Sequence, residues 1–296
     1  MRIVSLVPHA TELLFALGLG DDIVGVTHEC DYPPAACEIQ PVTRNVLPEG
    51  LRAAEIDAAV RERTEAGASI YELDEELVEE LEPDLIVTQA LCHVCAVSHD
   101  EVQALAVRLP DPPRVVSLDP KTYGETLGDI RTIAQATGSK AAALDLIART
   151  ARRADIIRLA VRDAPRPRVA ALEWLDPVFV AGHWMPQLIE MAGGEDVSGR
   201  AGEPSQQASW ELVAAGRPDI VVVMPCGYDA ARALVEAEEH AAQLRSLGAQ
   251  RVVAVDASSC FSRPGPRLID GLELLAHILH PGRVPSAPAE ALAVEL

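Results

Sequence analysis

The 296-residue sequence contains no uninterrupted apolar run of the roughly 18 residues that a transmembrane helix needs. Its first residues, Arg2 to Val7, already resemble a strand, with no basic region, apolar segment or cleavage site before them. Taken as written, these features predict a cytoplasmic protein without a membrane-inserted segment. A true start farther upstream would instead allow export to the periplasm or the cell surface.

Positive charge is also scarce. The 25 Lys and Arg residues are outnumbered by 45 Asp and Glu residues, which gives a formal net charge of −20. Nucleic acid and anionic membrane surfaces repel a chain with this excess of negative charge, so neither is an expected partner. A hydrophobic content of 49% is ordinary for a folded globular protein, and the length is sufficient for two domains with their own cores.

Common catalytic signatures are missing as well. The sequence has no Gly-rich phosphate-binding loop, no Gly-x-Ser-x-Gly elbow and no convincing acid–base pair. Six cysteines in a chain of this size do not indicate a disulfide framework. These absences favour a binding protein over an enzyme.

What the sequence does contain is one pattern that occurs twice. Glu-Leu-Val begins at Glu76 and again at Glu211, and each copy continues with Pro-Asp, an apolar run and a Cys. The strand-like stretches RVVSLD and RVVAVD then begin at Arg114 and Arg251. An internal repeat of this size predicts two similar α/β lobes, in which strands alternating with helices form parallel sheets.

A long helical run separates the two copies. Apolar residues recur at spacings of three and four from Tyr123 to Ala164, and no Pro interrupts them. Gly138 and Ser139 mark either a kink or a join between two helices, and the Pro-rich stretch from Pro165 ends the run. We therefore expect one long or kinked helix to link the lobes.

These patterns divide the chain into four segments: an N-terminal lobe over 1–122, the linking backbone helix over 123–164, a C-terminal lobe over 165–281 and a tail over 282–296. The tail is rich in Pro, Ala and Glu and is predicted to be disordered. Ligands of parallel α/β sheets bind at the carboxyl ends of the strands. The expected site is therefore a cleft between the lobes.

Rare residue types are concentrated in the loops after predicted strands. Aromatic residues form only 3% of the chain, yet these loops hold Tyr32, Trp174, Trp184, Tyr228 and Phe261. Further candidate ligand contacts are His9, His28, Arg44, His93, His183 and Arg263. The arginines are suited to bidentate binding of carboxylate or phosphate, with a solvated surface role as the alternative. Together these residues predict a cleft for a large, planar or apolar ligand.

Cysteines also follow the predicted strands. Cys92 and Cys95 form a Cys-x-x-Cys, a spacing that lets both sulfurs face one metal ion or cluster. With Cys30 and Cys226 they would complete a four-thiolate site for zinc or an iron–sulfur cluster, with His28, His93 or Cys260 as alternates. Thiols that contact a ligand, and small apolar fillers in packed loops, are the two other interpretations.

Short motifs in a fixed order resemble those of a known family. Ser5 opens Ser-x-x-Pro-x-x-Thr-Glu-Leu, Gly25 opens Gly-Val-x-x-x-x-Asp-Tyr-Pro, and FVAGHWMPQLIEMAGGEDV begins at Phe179. Over about residues 2–280 the chain resembles the periplasmic binding proteins whose two lobes are joined by a rigid helix. It is most similar to the cobalamin (vitamin B12) binding proteins of ABC transporters and to their iron–siderophore relatives.

The resemblance implies a protein that binds a corrinoid or a metal chelate without covalent chemistry, with Tyr32, Trp184, Phe261 and Arg263 lining the cleft. It also implies that Glu76 and Glu211 dock onto Arg pockets of an ABC permease if the protein is exported; compensation of helix N-terminal charge is the other interpretation. A cytoplasmic metalloprotein or enzyme with a Cys-ligated metal or iron–sulfur cluster is the alternative function. A scaffold that delivers a ligand to cytoplasmic partners is a third.

Overall fold

The computed structural model describes residues 1–48, 50–66, 68–90, 97–285 and 289–295. The chain forms two compact units. Unit 1 comprises Met1–Pro120 and Leu127–Ile147, and unit 2 comprises Lys121–Thr126 and Ala148–Leu296. The chain crosses between the units three times: once before the helix that begins at Tyr123, and twice inside helices, after Thr126 and after Ile147.

The described residues of unit 1 form six strands: β1 (Ile3–Ser5), β2 (Ile23–Val26), β3 (Thr43–Asn45), β4 (Tyr71–Leu73), β5 (Leu85–Thr88) and β6 (Arg114–Ser117). Four of them form a parallel sheet in the order β2-β1-β5-β6, and β3 pairs antiparallel with β4. The residues of β1 and β5 are buried throughout, as expected for parallel strands covered on both faces.

The helices of unit 1 are α1 (Pro8–Ala16), α2 (Ala53–Glu65), α3 (Glu75–Glu80) and α4 (His99–Arg108), followed by α5 (Tyr123–Thr137) and α6 (Lys140–Val161), which it shares with unit 2. Helix α1 begins at Pro8. Pro suits the first helical turn because its fixed φ is already helical and no donor is lost there.

The predicted linking helix over 123–164 consists of α5 and α6. Gly138 separates them with a φ of +78°, a left-handed conformation that glycine adopts without steric cost. In unit 1, Ile133, Ala143 and Leu146 pack into the core. In unit 2, Arg153 forms ion pairs with Asp270 at 2.5 Å and with Glu273 at 2.7 Å. Each unit thus holds its own part of these helices.

In the part of unit 2 that the structure describes there are seven strands: β7 (Arg168–Leu175), β8 (Val178–Val180), β9 (Glu195–Asp196), β10 (Gln206–Gln207), β11 (Ile220–Val223), β12 (Arg251–Val255) and β13 (Ala291–Ala293). Its sheet has the order β10-β8-β7-β11-β12-β13, and β9 pairs with β7. The neighbours β7, β11 and β12 are parallel, whereas β8, β10 and β13 add antiparallel edges. The central strands β7, β11 and β12 thus have the parallel arrangement that the sequence predicts, and antiparallel strands extend the sheet at its edges.

The helices of unit 2 are α7 (Met185–Met191), α8 (Trp210–Ala215), α9 (Ala230–Glu239), α10 (Ala241–Ser246), α11 (Ala257–Cys260) and α12 (Leu268–Leu279). Helices α9 and α10 are separated only by His240. Among the residues with described placement, no helix combines the length and apolarity needed to cross a bilayer.

The C-terminal residues contradict the predicted disorder in part. Residues 291–293 form β13, which pairs antiparallel with β12, and Val294 is buried in the unit 2 core. The backbone groups of an edge strand are available for pairing, and β12 offers such an edge to residues 291–293. Composition alone, which indicated a Pro- and Ala-rich tail, gave no sign of this pairing.

Candidate functional site

The carboxyl ends of the unit 1 strands carry a buried hydroxyl network. Thr11 Oγ1 donates to Ser5 Oγ at 2.7 Å and lies 3.0 Å from the sulfur of Cys30. All three side chains are buried. Cys30, predicted as a metal ligand, therefore packs against α1 within unit 1. His9, another predicted ligand contact, is 3% exposed in the same helix.

His28 follows β2 and is held by two threonines. Its backbone N–H donates to Thr43 Oγ1 at 3.0 Å, and its ring Nδ1 lies 2.7 Å from the same oxygen. Thr43 in turn donates to Thr27 Oγ1 at 2.9 Å. The other ring nitrogen, Nε2, lies 3.4 Å from Glu29 Oε1. These contacts fix the plane of the imidazole at the edge of the sheet.

Tyr71 completes this group. Its ring meets the His28 ring edge-on, with centroids 4.9 Å apart, and its hydroxyl donates to Glu29 Oε1 at 3.3 Å. The sequence analysis did not select Glu29 or Tyr71. Tyr71 lies in β4, which is distant in sequence from His28, and only the pairing of β3 with β4 brings Tyr71 and Thr43 to the same side of the unit.

Two predicted contacts of unit 1 lie on its surface. Tyr32 is 45% exposed just after β2. Arg44, in β3, donates from Nε at 3.0 Å and from Nη2 at 2.7 Å to the Glu72 carboxylate. The guanidinium is thus engaged with a neighbouring strand, which reduces its capacity to bind a ligand anion.

In unit 2, aromatic residues occupy the ends of β7 and β11. The rings of Trp174 and Tyr228 meet edge-on with centroids 5.5 Å apart. Arg232 lies 3.7 Å above the Tyr228 ring and donates to its hydroxyl at 3.1 Å. Burial is the main cause that raises the pKa of Tyr228, so its hydroxyl stays protonated at neutral pH. Sequence reasoning missed Arg232, because Tyr228 precedes the N-cap of α9 and the contact between the two side chains depends on the loop before that helix.

Trp184 and Phe261, two of the residues that the resemblance implies for the cleft, are both buried in unit 2. Trp184 is 6% exposed and Phe261 is 1% exposed, and the indole N–H of Trp184 donates to the carbonyl oxygen of Phe261 at 2.8 Å. These two side chains contact the interior of unit 2 instead of lining an open surface. Arg263, two residues on, is partly exposed.

His183 precedes this aromatic pair in a strained turn. It has a φ of +50°, and its backbone N–H donates to Glu203 O at 2.6 Å. Burial, and to a smaller extent the charge of Lys121, lowers the pKa of the imidazole. His183 is thus a half-buried, neutral imidazole at neutral pH, able to accept or donate one hydrogen bond.

The cysteine site is not supported where it can be examined. Cys92, His93 and Cys95 lie outside the described residues. Cys30 is buried in unit 1, and Cys226 is exposed in unit 2. Within the described part of the chain, no group of three or more His, Cys, Asp or Glu side chains could hold a metal ion. The four-thiolate site stays a prediction.

Glu76 and Glu211 occupy equivalent positions. Each is the second residue of a six-residue helix, α3 or α8, and each is exposed. Hydrogen bonds from its own backbone N–H and from the Ser209 hydroxyl lower the pKa of Glu211. A carboxylate in the first turn of a helix is favourable in itself, and so the position is consistent with both interpretations made from the sequence.

A cavity of about 590 Å³ in unit 2 lies at the amino end of β12, opposite to the expected ligand edge. Its polar lining is engaged in holding α12. Arg251 donates to Ile278 O at 2.7 Å, and His277 Nδ1 lies 2.9 Å from Val284 O. We therefore do not assign the ligand to this cavity.

Comparison with known proteins supplies the family. A family model described as "Periplasmic binding protein" matches residues 3–258. A vitamin B12-binding protein of Vibrio cholerae is 24% identical, covering 92% of this chain and 86% of that protein. An uncharacterized ABC transporter substrate-binding lipoprotein of Bacillus subtilis is 23% identical, covering 95% of this chain and 80% of that protein.

Solved structures agree in fold. A periplasmic heme-binding protein from Pseudomonas aeruginosa has a TM-score of 0.72 at 22% identity, covering all of this chain and 98% of its own. The vitamin B12-binding protein of Vibrio cholerae has a TM-score of 0.65 at 23% identity, with coverages of 94% and 96%. None of this supports a cytoplasmic location or a metalloenzyme. With its family model spanning most of both units, the chain belongs to the periplasmic binding protein family.

Proposed function

We propose that this protein binds a large metal chelate, either a corrinoid such as cobalamin or a heme-like macrocycle, outside the cytoplasm and presents it to an ABC permease. The main support for this proposal is the similarity to a vitamin B12-binding protein, which extends over 92% of this chain and 86% of that relative. The positions of the aromatic residues support the same ligand class. These residues are few, and several of them follow the strands where α/β proteins bind ligands.

Among the proposed ligand contacts, Tyr32 and His183 are the strongest. Tyr32 is an exposed aromatic side chain after β2, and such a ring offers a flat apolar surface to a macrocycle. His183 provides a neutral imidazole in unit 2. His28, Arg263 and the partly buried Trp174 are further proposed contacts. Trp184, Phe261 and Tyr228 would support the site from within unit 2 rather than touch the ligand.

Titration of the purified protein with cyanocobalamin and, separately, with hemin tests this function by calorimetry and absorbance. We expect one of them to bind with heat and a spectral change. Tyr32→Ala should weaken that binding about tenfold, since loss of an aromatic contact worth about 1.4 kcal/mol changes affinity by that factor. Val107→Ala, also exposed in unit 1, is the matched control. No binding of either macrocycle would reject the proposal.

The proposed permease contact rests on Glu76 and Glu211. Each carboxylate is exposed on a short helix whose position is repeated between the units. In proteoliposomes containing the cognate permease, charge reversal at both positions should abolish stimulation of ATP hydrolysis while ligand affinity is retained. Glu80→Lys with Glu239→Lys is the control for total charge. Full stimulation by the Glu76→Lys, Glu211→Lys variant would leave these residues with a purely local role in their helices.

A further inference from the structure

We propose that the cavity at the amino end of β12 binds a small organic carboxylate, and that this ligand holds the C-terminal strand β13 in place. The cavity has a volume of about 590 Å³, which is in the range of sites for small organic molecules. Its walls come from the segment between α10 and β12, from the end of α12 and from β13. All of them belong to unit 2, and the cavity lies at the opposite end of the strands from the proposed macrocycle contacts.

The lining of this cavity is cationic and apolar, although the whole chain has a formal net charge of −20. Arg245, Arg251 and His277 contribute to it, and none of the described residues that line it is Asp or Glu. Most of the other lining residues are apolar, among them Val252 and Ile278. A guanidinium fork binds a carboxylate through two parallel hydrogen bonds. The complementary ligand is therefore a carboxylate with an apolar body.

The internal repeat shows what is distinctive about this charge. Arg108 and Arg114 stand six positions apart, near the end of α4 and at the start of β6, as Arg245 and Arg251 do near the end of α10 and at the start of β12. In unit 1, Nη2 of Arg108 lies 2.8 Å from the Glu75 carboxylate. The guanidinium of Arg245 has no ion pair or hydrogen bond with any residue that the structure describes. The arginine pair of unit 2 thus retains a charge that a ligand anion can neutralise.

Contacts with the main chain hold the other two polar groups at the cavity. Arg251 Nη1 donates to Ile278 O at 2.7 Å, which leaves the remaining N–H groups of its guanidinium available to a carboxylate. His277 Nδ1 donates to Val284 O at 2.9 Å, because a carbonyl oxygen can only accept. Side chains that are already fixed lose less conformational entropy when a ligand binds.

Strand β13 connects this cavity to the C-terminal part of the chain. Ala291, Ala293 and Val294 form one of its walls. The strand has only three residues, and beyond it the Val294 N–H donates to Val252 O at 3.0 Å. Few hydrogen bonds hold so short an edge strand, so it opens locally at a low free-energy cost. A ligand that binds only while β13 closes the cavity adds its binding free energy to this pairing.

Titration of the full chain with hexanoate tests the site, and hexanamide is the uncharged analogue of nearly the same shape. We expect hexanoate to shift the methyl NMR signals of Val252 and Ile278, and hexanamide to bind at least tenfold more weakly. Arg245→Gln and Arg251→Gln should each weaken hexanoate binding about tenfold, since each removes a charged donor. Arg114→Gln, at the position of unit 1 that corresponds to Arg251, is the matched control and should bind as the parent does.

Hydrogen exchange of the parent protein tests the link to β13. At a hexanoate concentration of ten times Kd, exchange of the Val294 amide should slow about tenfold. The Leu118 amide, which donates to Thr88 O in unit 1, should keep its rate.

Two results would overturn the site: no binding of hexanoate, or equal affinity for hexanoate and hexanamide in the parent protein. Hexanoate binding with unchanged exchange at Val294 would overturn the link to β13. Because neither cobalamin nor hemin is present in these experiments, failure here is distinct from failure of the proposed transport function.

Discussion

The two units carry different chemistry at the carboxyl ends of similar strands. In unit 1 these ends hold hydroxyl, imidazole and carboxylate groups that bond to one another, as in the chain from Thr27 through Thr43 to His28. In unit 2 they hold Trp174 and Tyr228, stacked with Arg232. The frame is repeated, but the edge residues have diverged. The described residues at these strand ends are therefore mainly polar in unit 1 and aromatic in unit 2.

The two units also share one local arrangement, a short capped helix that is followed by a buried strand. Helix α3 is capped by Asp74, which accepts from Leu77 N at 3.0 Å, and α8 is capped by Ser209, which accepts from Leu212 N at 3.2 Å. Each helix has six residues and precedes a fully buried four-residue strand, β5 or β11. The internal repeat seen in the sequence therefore corresponds to a capped short helix followed by a buried strand.

The largest difference in stability between the two units is expected when an aromatic residue is replaced in each. Trp184→Ala should destabilise the protein by about 3–5 kcal/mol, because it removes a buried ring and its hydrogen bond to Phe261. Tyr32→Ala, at an exposed position of unit 1, should change stability by no more than about 0.5 kcal/mol. Urea unfolding measures both. Equal losses would mean that Tyr32 is also part of a core.

A smaller effect is expected where α6 meets α12 in unit 2. Arg153 bridges Asp270 and Glu273, and Arg153→Met would leave two adjacent carboxylates without their cation. Because the arginine side chain is 37% exposed, solvent screening reduces the cost to about 1–3 kcal/mol. Arg158→Met is the control, since its pair with Asp155 is 73% exposed on the arginine side. The control should stay within about 0.5 kcal/mol of the parent.

Replacing the capping residues tests whether the two repeated helices contribute equally to stability as well as sharing a geometry. Asp74→Ala and Ser209→Ala should each lower the free energy of unfolding by about 1 kcal/mol, because each removes the acceptor of an N-terminal backbone N–H. Asp74→Asn and Ser209→Thr keep an acceptor and should recover most of the loss. A loss confined to one unit would show that the second helix depends on packing rather than on its cap.

Sequence patterns were sufficient for the repeated frame because both copies contain the same helix, apolar strand and Pro-Asp turn. They were insufficient where pairing is non-local. Strand β13 forms only because β12 offers an edge, and composition cannot report that. The burial of Trp184 likewise follows from its contact with Phe261, 77 residues away. Tyr71 was missed for the same reason, since its link to His28 depends on the β3–β4 register.

The smallest expected effect is a loss of stability at acid pH, which we attribute to His183 in unit 2. Burial is the main cause that lowers the pKa of His183 below its ordinary value of 6.5. Between that lowered pKa and 6.5 the unfolded chain binds more protons than the folded one, so stability falls as the pH drops through this window. His183→Asn, compatible with the φ of +50°, should therefore lose less stability than the parent between about pH 7.5 and about pH 5.5. Urea unfolding midpoints at both pH values measure this difference. Identical losses of stability in parent and variant would mean that other groups cause the acid sensitivity. His280, whose pKa is also lowered by burial, would then be the next residue to replace.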